Sequence, residues 1–265
     1  TQGYSSAASD VYKRQQVYLS AKVRDGYAEK FCKEGGAMSE IEERLAQVRA
    51  RIAEAERRSP YGQEVTLVAV TKFHPLEDME EAIRLGVTQV GENRVQEMEE
   101  KRRSLSAPVV WNLQGHLQKN KVKKAVACAD LIQSCDSEEI LKEIDKKAES
   151  AGKVQDVFLE FNISGEESKY GFSPEEFKNA VEAAKACTHV RVKGLMCMAP
   201  NEEPEKTRSV FREGRRLWTE MKKEFPEGQI TILSMGMTND FEIAIEEGAT
   251  MVRIGTAIFG ARQYH

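Results

Sequence analysis

The chain has few of the residues that indicate a metal site, a disulfide framework or a membrane anchor. Its 5 cysteines form no CxxC pair and are odd in number, and its 4 histidines are scattered along 265 residues. This pattern argues against structural zinc and disulfides, and it favours a reducing cytoplasm. No run of about 18 apolar residues is present, so no transmembrane helix is expected.

A surplus of basic charge is also absent. Lys and Arg together number 39 and Asp and Glu 43, which gives a net charge of −4. A nucleic-acid-binding domain usually presents a basic face, so this balance predicts no nucleic-acid partner. The length and the 40% apolar content are typical of a globular protein with one large domain or two small ones.

The first 37 residues differ from the rest of the chain. They show neither a helical nor a strand period, yet they hold four of the 7 tyrosines. They lack the apolar core of a secretory signal, and their acidic residues argue against a transit peptide. The run SSAASDVYKRQ at 5–15 resembles translated sequencing-adapter text. We therefore expect a disordered, non-native leader over 1–37 and a native start at Met38.

Apolar strand-like runs alternate with amphipathic helical segments after Met38. A helix comes first, predicted by an apolar stripe that ends before Ser59 and Pro60. The eight strand-like runs are 65–72, 89–93, 109–115, 131–136, 154–162, 190–197, 230–236 and 250–255. Eight units of about 28 residues predict a closed (β/α)8 TIM-type barrel with an extra N-terminal helix, in a single domain over 38–265. A doubly wound open sheet is the alternative, but no glycine-rich turn follows the first strand.

In a barrel of this type the chemistry lies where the strands end at their carboxyl side. Val68, Val70 and Lys72 share one face of the first strand, so Lys72 is expected to point into this mouth of the barrel. A lysine in a partly dry pocket loses proton affinity, and a neutral amine can form an imine with a carbonyl group. The alternative is a rim lysine that is solvated or paired with an acid such as Glu92.

The ends of the last two strands are suited to an anion. Gly255 lets the backbone approach an anion closely, and Thr256 offers an N–H and a hydroxyl. The preceding unit supplies Ser234, which can bond phosphate, and Thr238, which is predicted to cap a helix. Each loop has the alternative reading of a glycine turn with routine caps. Together with an inward lysine, they favour a phosphorylated aldehyde such as pyridoxal 5′-phosphate (PLP).

Eight ordered runs over 38–262 resemble the pyridoxal phosphate homeostasis proteins, the YggS/PROSC-type family. The runs are LVAVTK (67–72), GENRVQE (91–97), GHLQKNK (115–121), DS (136–137), KYGF (169–172), KGLMCM (193–198), LSMGMTND (233–240) and VRIGTAIFGAR (252–262). The resemblance implies an alanine-racemase-like barrel that binds PLP. It implies that Lys72 is the imine lysine, that Arg253 faces the pyridine nitrogen and that Asn93 lies near the ring. The phosphate-holding positions that it implies are Ser234, Gly255 and Thr256.

The third strand departs from the family pattern. Asn112 stands where the family usually has histidine, and Gln114 where it usually has isoleucine. Neither change affects the lysine or the phosphate loops. Two nearby features are interpreted as structural: His116 as the cap of a helix that begins near Leu117, and the charge run 97–103 as a solvated helix face.

The resemblance favours a cytoplasmic protein that holds PLP as an imine, serves vitamin B6 homeostasis and passes the cofactor to PLP-dependent apo-enzymes. No catalytic turnover is expected. A PLP-dependent racemase or decarboxylase and a class I aldolase are the alternatives. A racemase of this barrel type uses a second, β-rich domain and a partner's tyrosine, whereas Tyr264 is the only tyrosine near the end of this chain. We expect a monomer, since no dimerisation domain is recognised.

Overall fold

The computed structural model describes residues 38–261, so the predicted leader over 1–37 and the last four residues lie outside it. Eight parallel strands form a closed barrel in chain order, and β1 pairs with β8 to complete the ring. The strands are β1 (Thr66–Val70), β2 (Gln89–Glu92), β3 (Val110–Leu113), β4 (Leu131–Cys135), β5 (Gln155–Phe161), β6 (Val190–Cys197), β7 (Ile232–Ser234) and β8 (Met251–Ile254). The predicted (β/α)8 barrel is confirmed, and the open sheet is excluded.

Helices surround the barrel: one precedes β1, one follows β8, and the others connect successive strands. They are α1 (Glu40–Arg58), α2 (Leu76–Arg84), α3 (Val95–Ser104), α4 (Val122–Cys128), α5 (Glu138–Ser150), α6 (Phe177–Ala186), α7 (Arg208–Glu224), α8 (Phe241–Glu246) and α9 (Thr256–Phe259). Short 3-10 turns precede α4, α6 and α7. None of the helices in this part of the chain is long and apolar enough to cross a bilayer.

Helix α1 is the additional N-terminal helix that the sequence predicts. Ser39 is its N-cap, and the Ser39 hydroxyl accepts a hydrogen bond from the Glu42 N–H at 3.1 Å. The predicted apolar stripe is its buried face: Ile41, Leu45, Val48, Ile52 and Ala55. This face packs against α8 and α9, and Arg51 pairs with Glu242 of α8 at 2.9 Å. The helix therefore covers the elements that flank β8.

Several strands end sooner than the apolar runs suggest. β1 ends at Val70, although the Thr71 N–H still donates to the Gly91 carbonyl at 3.0 Å. The chain then turns, because the His74 N–H donates back to the Thr71 carbonyl at 3.0 Å and Phe73 takes a positive φ of 63°. Lys72 therefore lies in the turn that follows β1 rather than in the strand.

The barrel interior changes from apolar to polar towards the carboxyl ends of the strands. A small apolar cluster fills the middle: Val68, Leu131, Phe158, Met196 and Met251. Two residues further along β4, β5 and β8 stand Gln133, Glu160 and Arg253, each at most 3% exposed. Because side chains two apart on a strand share a face, these polar groups lie inside the barrel, next to its mouth.

Candidate binding site at the mouth of the barrel

A cavity of about 280 Å³ opens at the mouth of the barrel. Most of the predicted binding residues line it: Lys72, Asn93, Thr238, Arg253, Gly255 and Thr256. Ser234 does not line it and is fully buried beneath it. The ends of β1, β2, β7 and β8 thus converge on one space, as the barrel topology requires.

The turn that carries Lys72 is fixed by a buried ion cluster. Lys101 of α3 donates to Glu92 at 2.8 Å, to Glu97 at 2.8 Å and to the Thr71 carbonyl at 2.7 Å. The Thr71 hydroxyl donates to Glu92 at 2.6 Å, and the Phe73 N–H donates to Glu97 at 2.8 Å. The residues on both sides of Lys72 are therefore held in place. Burial raises the pKa of the Glu92 carboxyl, which the charge of Lys101 opposes.

Gly255 is favoured by packing at the point where β8 meets β1. A Cβ atom at this position would lie 3.0 Å from the Val70 carbonyl oxygen and 3.3 Å from the Val70 Cβ. The φ angle of Gly255 is −116°, which other residues also adopt, so the need is steric rather than conformational. The glycine lets the end of β8 approach β1 closely and so brings Thr256 and Lys72 to the same cavity.

Thr238 connects the two predicted phosphate loops, but it does not cap α8. Its hydroxyl accepts a hydrogen bond from the Ala257 N–H at 3.4 Å. The N-cap of α8 is Asp240, whose Oδ1 accepts from the Met237 N–H at 2.6 Å. The predicted capping role of Thr238 is therefore wrong, because α8 begins later than the sequence suggests.

Arg253 is a buried cation without a hydrogen-bonded carboxylate in the described chain. It is 3% exposed, and it donates to the Ser234 hydroxyl at 2.7 Å and to the Cys197 carbonyl at 3.0 Å. Both acceptors are neutral. Burial lowers the pKa of the guanidinium, and the nearby carboxyls of Glu160 and Asp240 oppose this effect. A guanidinium has five N–H donors, so Arg253 keeps donors for a ligand in the cavity.

Glu160 is a second buried ionisable group beside the cavity. Its side chain is 3% exposed. Burial and the charge of Asp136 raise the pKa of Glu160 to about 8, although the charge of Arg253 acts in the opposite direction. With a pKa about one unit above neutral pH, the Glu160 carboxyl is mostly protonated there and adds little negative charge beside Arg253.

Gln114 is a cavity residue that sequence reasoning did not select. Its side chain lines the cavity, and its Nε2 is buried without a hydrogen-bond partner in the part of the chain that the structure describes. The amide packs on the neighbouring strand, since a Cβ at Gly91 would lie 2.3 Å from this nitrogen. The signal in the sequence is the departure from the family pattern at this position. The segment 198–202, which covers one side of the cavity, carries no comparable signal.

His116 does not cap the following helix, so that prediction is wrong. Its Nδ1 lies 2.7 Å from an Asp136 oxygen, and its ring stacks on Tyr170 with 3.5 Å between ring centroids. The turn after it begins at Lys119 with Gln118 as N-cap. The carboxylate of Asp136 attracts the imidazole away from the backbone that it would cap.

The polar groups of the cavity suit PLP in their chemistry. Lys72 carries an amine, a group that can react with an aldehyde. Arg253 carries N–H donors, which can bond an acceptor atom. Gln114 also lines the cavity, and its Nε2 has no hydrogen-bond partner among the described residues. Within 38–261, no group of three or more His, Cys, Asp or Glu side chains is arranged to hold a metal ion.

Comparison with known proteins identifies both the broad class of this chain and its family within that class. Residues 44–263 match the family described as alanine racemase, N-terminal domain, which is the class that the barrel defines. Within this class, the chain belongs to the family of pyridoxal phosphate homeostasis proteins, as its curated relatives show.

The match to two relatives with that name covers nearly the whole length of each relative. The protein of Aquifex aeolicus is 42% identical over 225 residues, which are 84% of this chain and 98% of the relative. The protein of Escherichia coli K12 is 37% identical over 235 residues, which are 86% and 99% of the two chains. PipY of Synechococcus elongatus, solved with PLP bound, has a TM-score of 0.72 at 33% identity and covers 83% of this chain and 100% of its own.

Proposed function

We propose that this chain binds PLP in the mouth cavity, holds it as an imine of Lys72 and delivers it to PLP-dependent apo-enzymes. It thereby serves vitamin B6 homeostasis as a monomer in the cytoplasm, without catalytic turnover. The proposal is carried by one observation: Lys72, Arg253 and Thr256 come from opposite ends of the chain and line one cavity. The PLP bound to PipY and the names of the relatives support it.

Lys72 is the group that bonds the cofactor covalently. The nitrogen of its neutral amine attacks the aldehyde carbon, and the aldehyde oxygen leaves as water, so a C=N bond replaces a C=O bond. The ion cluster around Lys101 holds the backbone on both sides of Lys72, which keeps the amine in place for this reaction. Release is the reverse reaction and consumes one water molecule.

Gly255, Thr256 and the Thr238 loop hold the phosphate. The backbone N–H groups at 255 and 256 and the Thr256 hydroxyl are the donors that we assign to it, since anions accept hydrogen bonds from such groups. The link from Thr238 to Ala257 joins the loops after β7 and β8 on the same side of the cavity. Asn93 lines the same cavity as Lys72, and we assign it to the ring of the cofactor.

Arg253 explains why the bound cofactor does not react further. A guanidinium only donates hydrogen bonds, so the pyridine nitrogen must accept one and remain unprotonated. PLP acts as an electron sink in enzymes, and an unprotonated ring accepts electrons poorly. A carbanion at an amino acid's α-carbon is then little stabilised, which disfavours the racemase and decarboxylase alternatives.

The test is the absorption spectrum of the purified chain with PLP, before and after borohydride, with the modified peptide mapped. We expect a visible imine band and a reduced pyridoxyl group on the peptide that contains Lys72. Lys72→Ala should lose the band, whereas Lys119→Ala should keep it. A label on Lys119 or Lys121 would overturn the assignment, and a colourless chain that forms an imine only with a sugar phosphate would favour the aldolase.

A further inference from the structure

Four buried side chains form a continuous row of hydrogen bonds across the barrel interior. We call Asn112, Gln133, Ser234 and Arg253 the interior relay. Gln133 Nε2 donates to Asn112 Oδ1 at 2.8 Å, Ser234 Oγ donates to Gln133 Oε1 at 2.7 Å and Arg253 Nη1 donates to Ser234 Oγ at 2.7 Å. Each of these side chains is at most 3% exposed, so water does not replace the bonds.

The direction of every bond in the relay is fixed from its two ends. At one end, Asn112 Nδ2 donates to the Val90 carbonyl at 3.2 Å, and a carbonyl can only accept. Asn112 therefore presents its oxygen to Gln133, which in turn presents its own oxygen to the Ser234 hydroxyl. At the other end, Arg253 can only donate, so the Ser234 oxygen must accept from it. Both ends require the same order of donors and acceptors.

This order leaves Ser234 without a hydrogen for a phosphate group. A serine hydroxyl has one hydrogen, and in the relay that hydrogen is given to Gln133. A phosphate oxygen needs a donor, and Ser234 is also absent from the lining of the cavity. What Ser234 does hold is Arg253, whose other nitrogen is fixed by the Cys197 carbonyl at 3.0 Å.

We propose that Asn112, Gln133 and Ser234 are positioning residues that aim the guanidinium of Arg253 at the ring of the bound cofactor. The phosphate is then held without the Ser234 hydroxyl, in contrast to what the resemblance implies for this position. The inference rests on the proposed function for the identity of the ligand. It gives a function to the buried amides of Gln133 and Asn112. At the position of Asn112 the family usually has histidine.

Binding of PLP and of pyridoxal, which lacks the phosphate, separates the two roles of Ser234. We expect Ser234→Ala and Gln133→Leu to weaken both ligands by the same factor, about 5- to 10-fold for one lost hydrogen bond. Both variants should also shift the pH midpoint of the visible imine band in the same direction, because a loosened guanidinium lets the ring nitrogen take a proton. Ser234→Thr, which keeps the hydroxyl, should restore the wild-type midpoint.

Gln155→Leu is the matched control. Gln155 is a fully buried glutamine of β5 that donates to the Asp130 and Asp156 carbonyls and lies outside the relay. It should change neither affinity nor midpoint. If Ser234→Ala weakens PLP but not pyridoxal, or if Gln133→Leu leaves the midpoint unchanged, the positioning role is refuted.

A ligand-free measurement keeps the relay separate from the proposed function. A wild-type chain that binds neither PLP nor pyridoxal contradicts the proposed function. The relay itself still predicts that Ser234→Ala and Gln133→Leu are non-additive in urea unfolding, since the two side chains share a hydrogen bond. Ser234→Ala and Gln155→Leu should be additive. Additivity of the first pair would overturn the relay.

Discussion

Glu160 should make the folded chain less stable as the pH rises. Its carboxyl is 3% exposed, and burial together with the charge of Asp136 raises its pKa from 4.5 to about 8. Between these values the unfolded chain releases the proton while the folded chain keeps it. Folding stability therefore falls as the pH rises from about 4.5 through about 8, and it is constant on either side of this window.

The size of the change in folding stability follows from the difference between the two pKa values of Glu160. Each pH unit between the two pKa values lowers the free energy of unfolding by about 1.4 kcal/mol. The loss is therefore about 3 kcal/mol at pH 7 and about 5 kcal/mol at pH 9, where the window has been crossed. The opposing charge of Arg253 is already included in the folded-state pKa.

Glu160→Gln removes the titration and keeps the shape of the side chain. Relative to the wild type at the same pH, the variant should become progressively more stable from pH 5 to pH 9 in urea unfolding without ligand. Glu167→Gln changes the same charge at an exposed position and serves as the control, with a curve parallel to the wild type. Parallel curves for Glu160→Gln and the wild type would refute the assignment of a buried, protonated carboxyl.

Three further results are expected from the site and the chain. Thr256→Val should weaken PLP by about 10- to 150-fold, because it removes a hydrogen bond to an anion, and it should leave pyridoxal nearly unaffected; equal weakening of both would contradict the phosphate site. A chain that starts at Met38 should melt at the same temperature and bind PLP equally, and a drop of several degrees would show that residues 1–37 contribute to the fold. In deuterated water, the PLP form should exchange no α-protons of common L-amino acids at catalytic protein concentrations, and fast exchange would favour the enzyme alternative.

The barrel and the position of its lysine could be predicted because both depend on local pattern. Alternating apolar strands and amphipathic helices fix the order of elements, and the barrel is the closed way to pair eight such strands in parallel. Side chains two apart on a strand share a face, so the apolar Val68 and Val70 predict that the side chain of Lys72 also points to the inside of the barrel. Lys72 lines the cavity as expected, even though it lies in the turn after the strand.

The partners of the site residues could not be predicted, because they come from distant parts of the chain. The sequence around Ser234 predicts a contact with phosphate, but the Ser234 hydroxyl donates to Gln133, which lies 101 positions away. The charge run 97–103 predicts a solvated helix face, yet the Lys101 side chain is only 10% exposed and bridges two acids beside the Lys72 turn. These side chains come together only because the barrel closes. The periodicity of the sequence predicts strands and helices, but it does not predict contacts between distant residues.

The buried polar groups next to the cavity all favour holding a ligand over transforming it. Arg253 has two neutral acceptors, and a mostly protonated Glu160 adds little negative charge beside it at neutral pH. On the proposed function, the ring nitrogen then meets the guanidinium of Arg253, which only donates hydrogen bonds. The other three side chains of the interior relay, which hold this guanidinium, do not titrate near neutral pH. A turnover site needs groups that exchange protons near neutral pH. Two carboxyls act on Arg253: Glu160, whose pKa burial raises to about 8, and Asp240, which accepts a hydrogen bond from the Met237 N–H. Glu160 itself does not line the cavity, so on the proposed function its titration changes the charge around Arg253 without placing a base next to the cofactor.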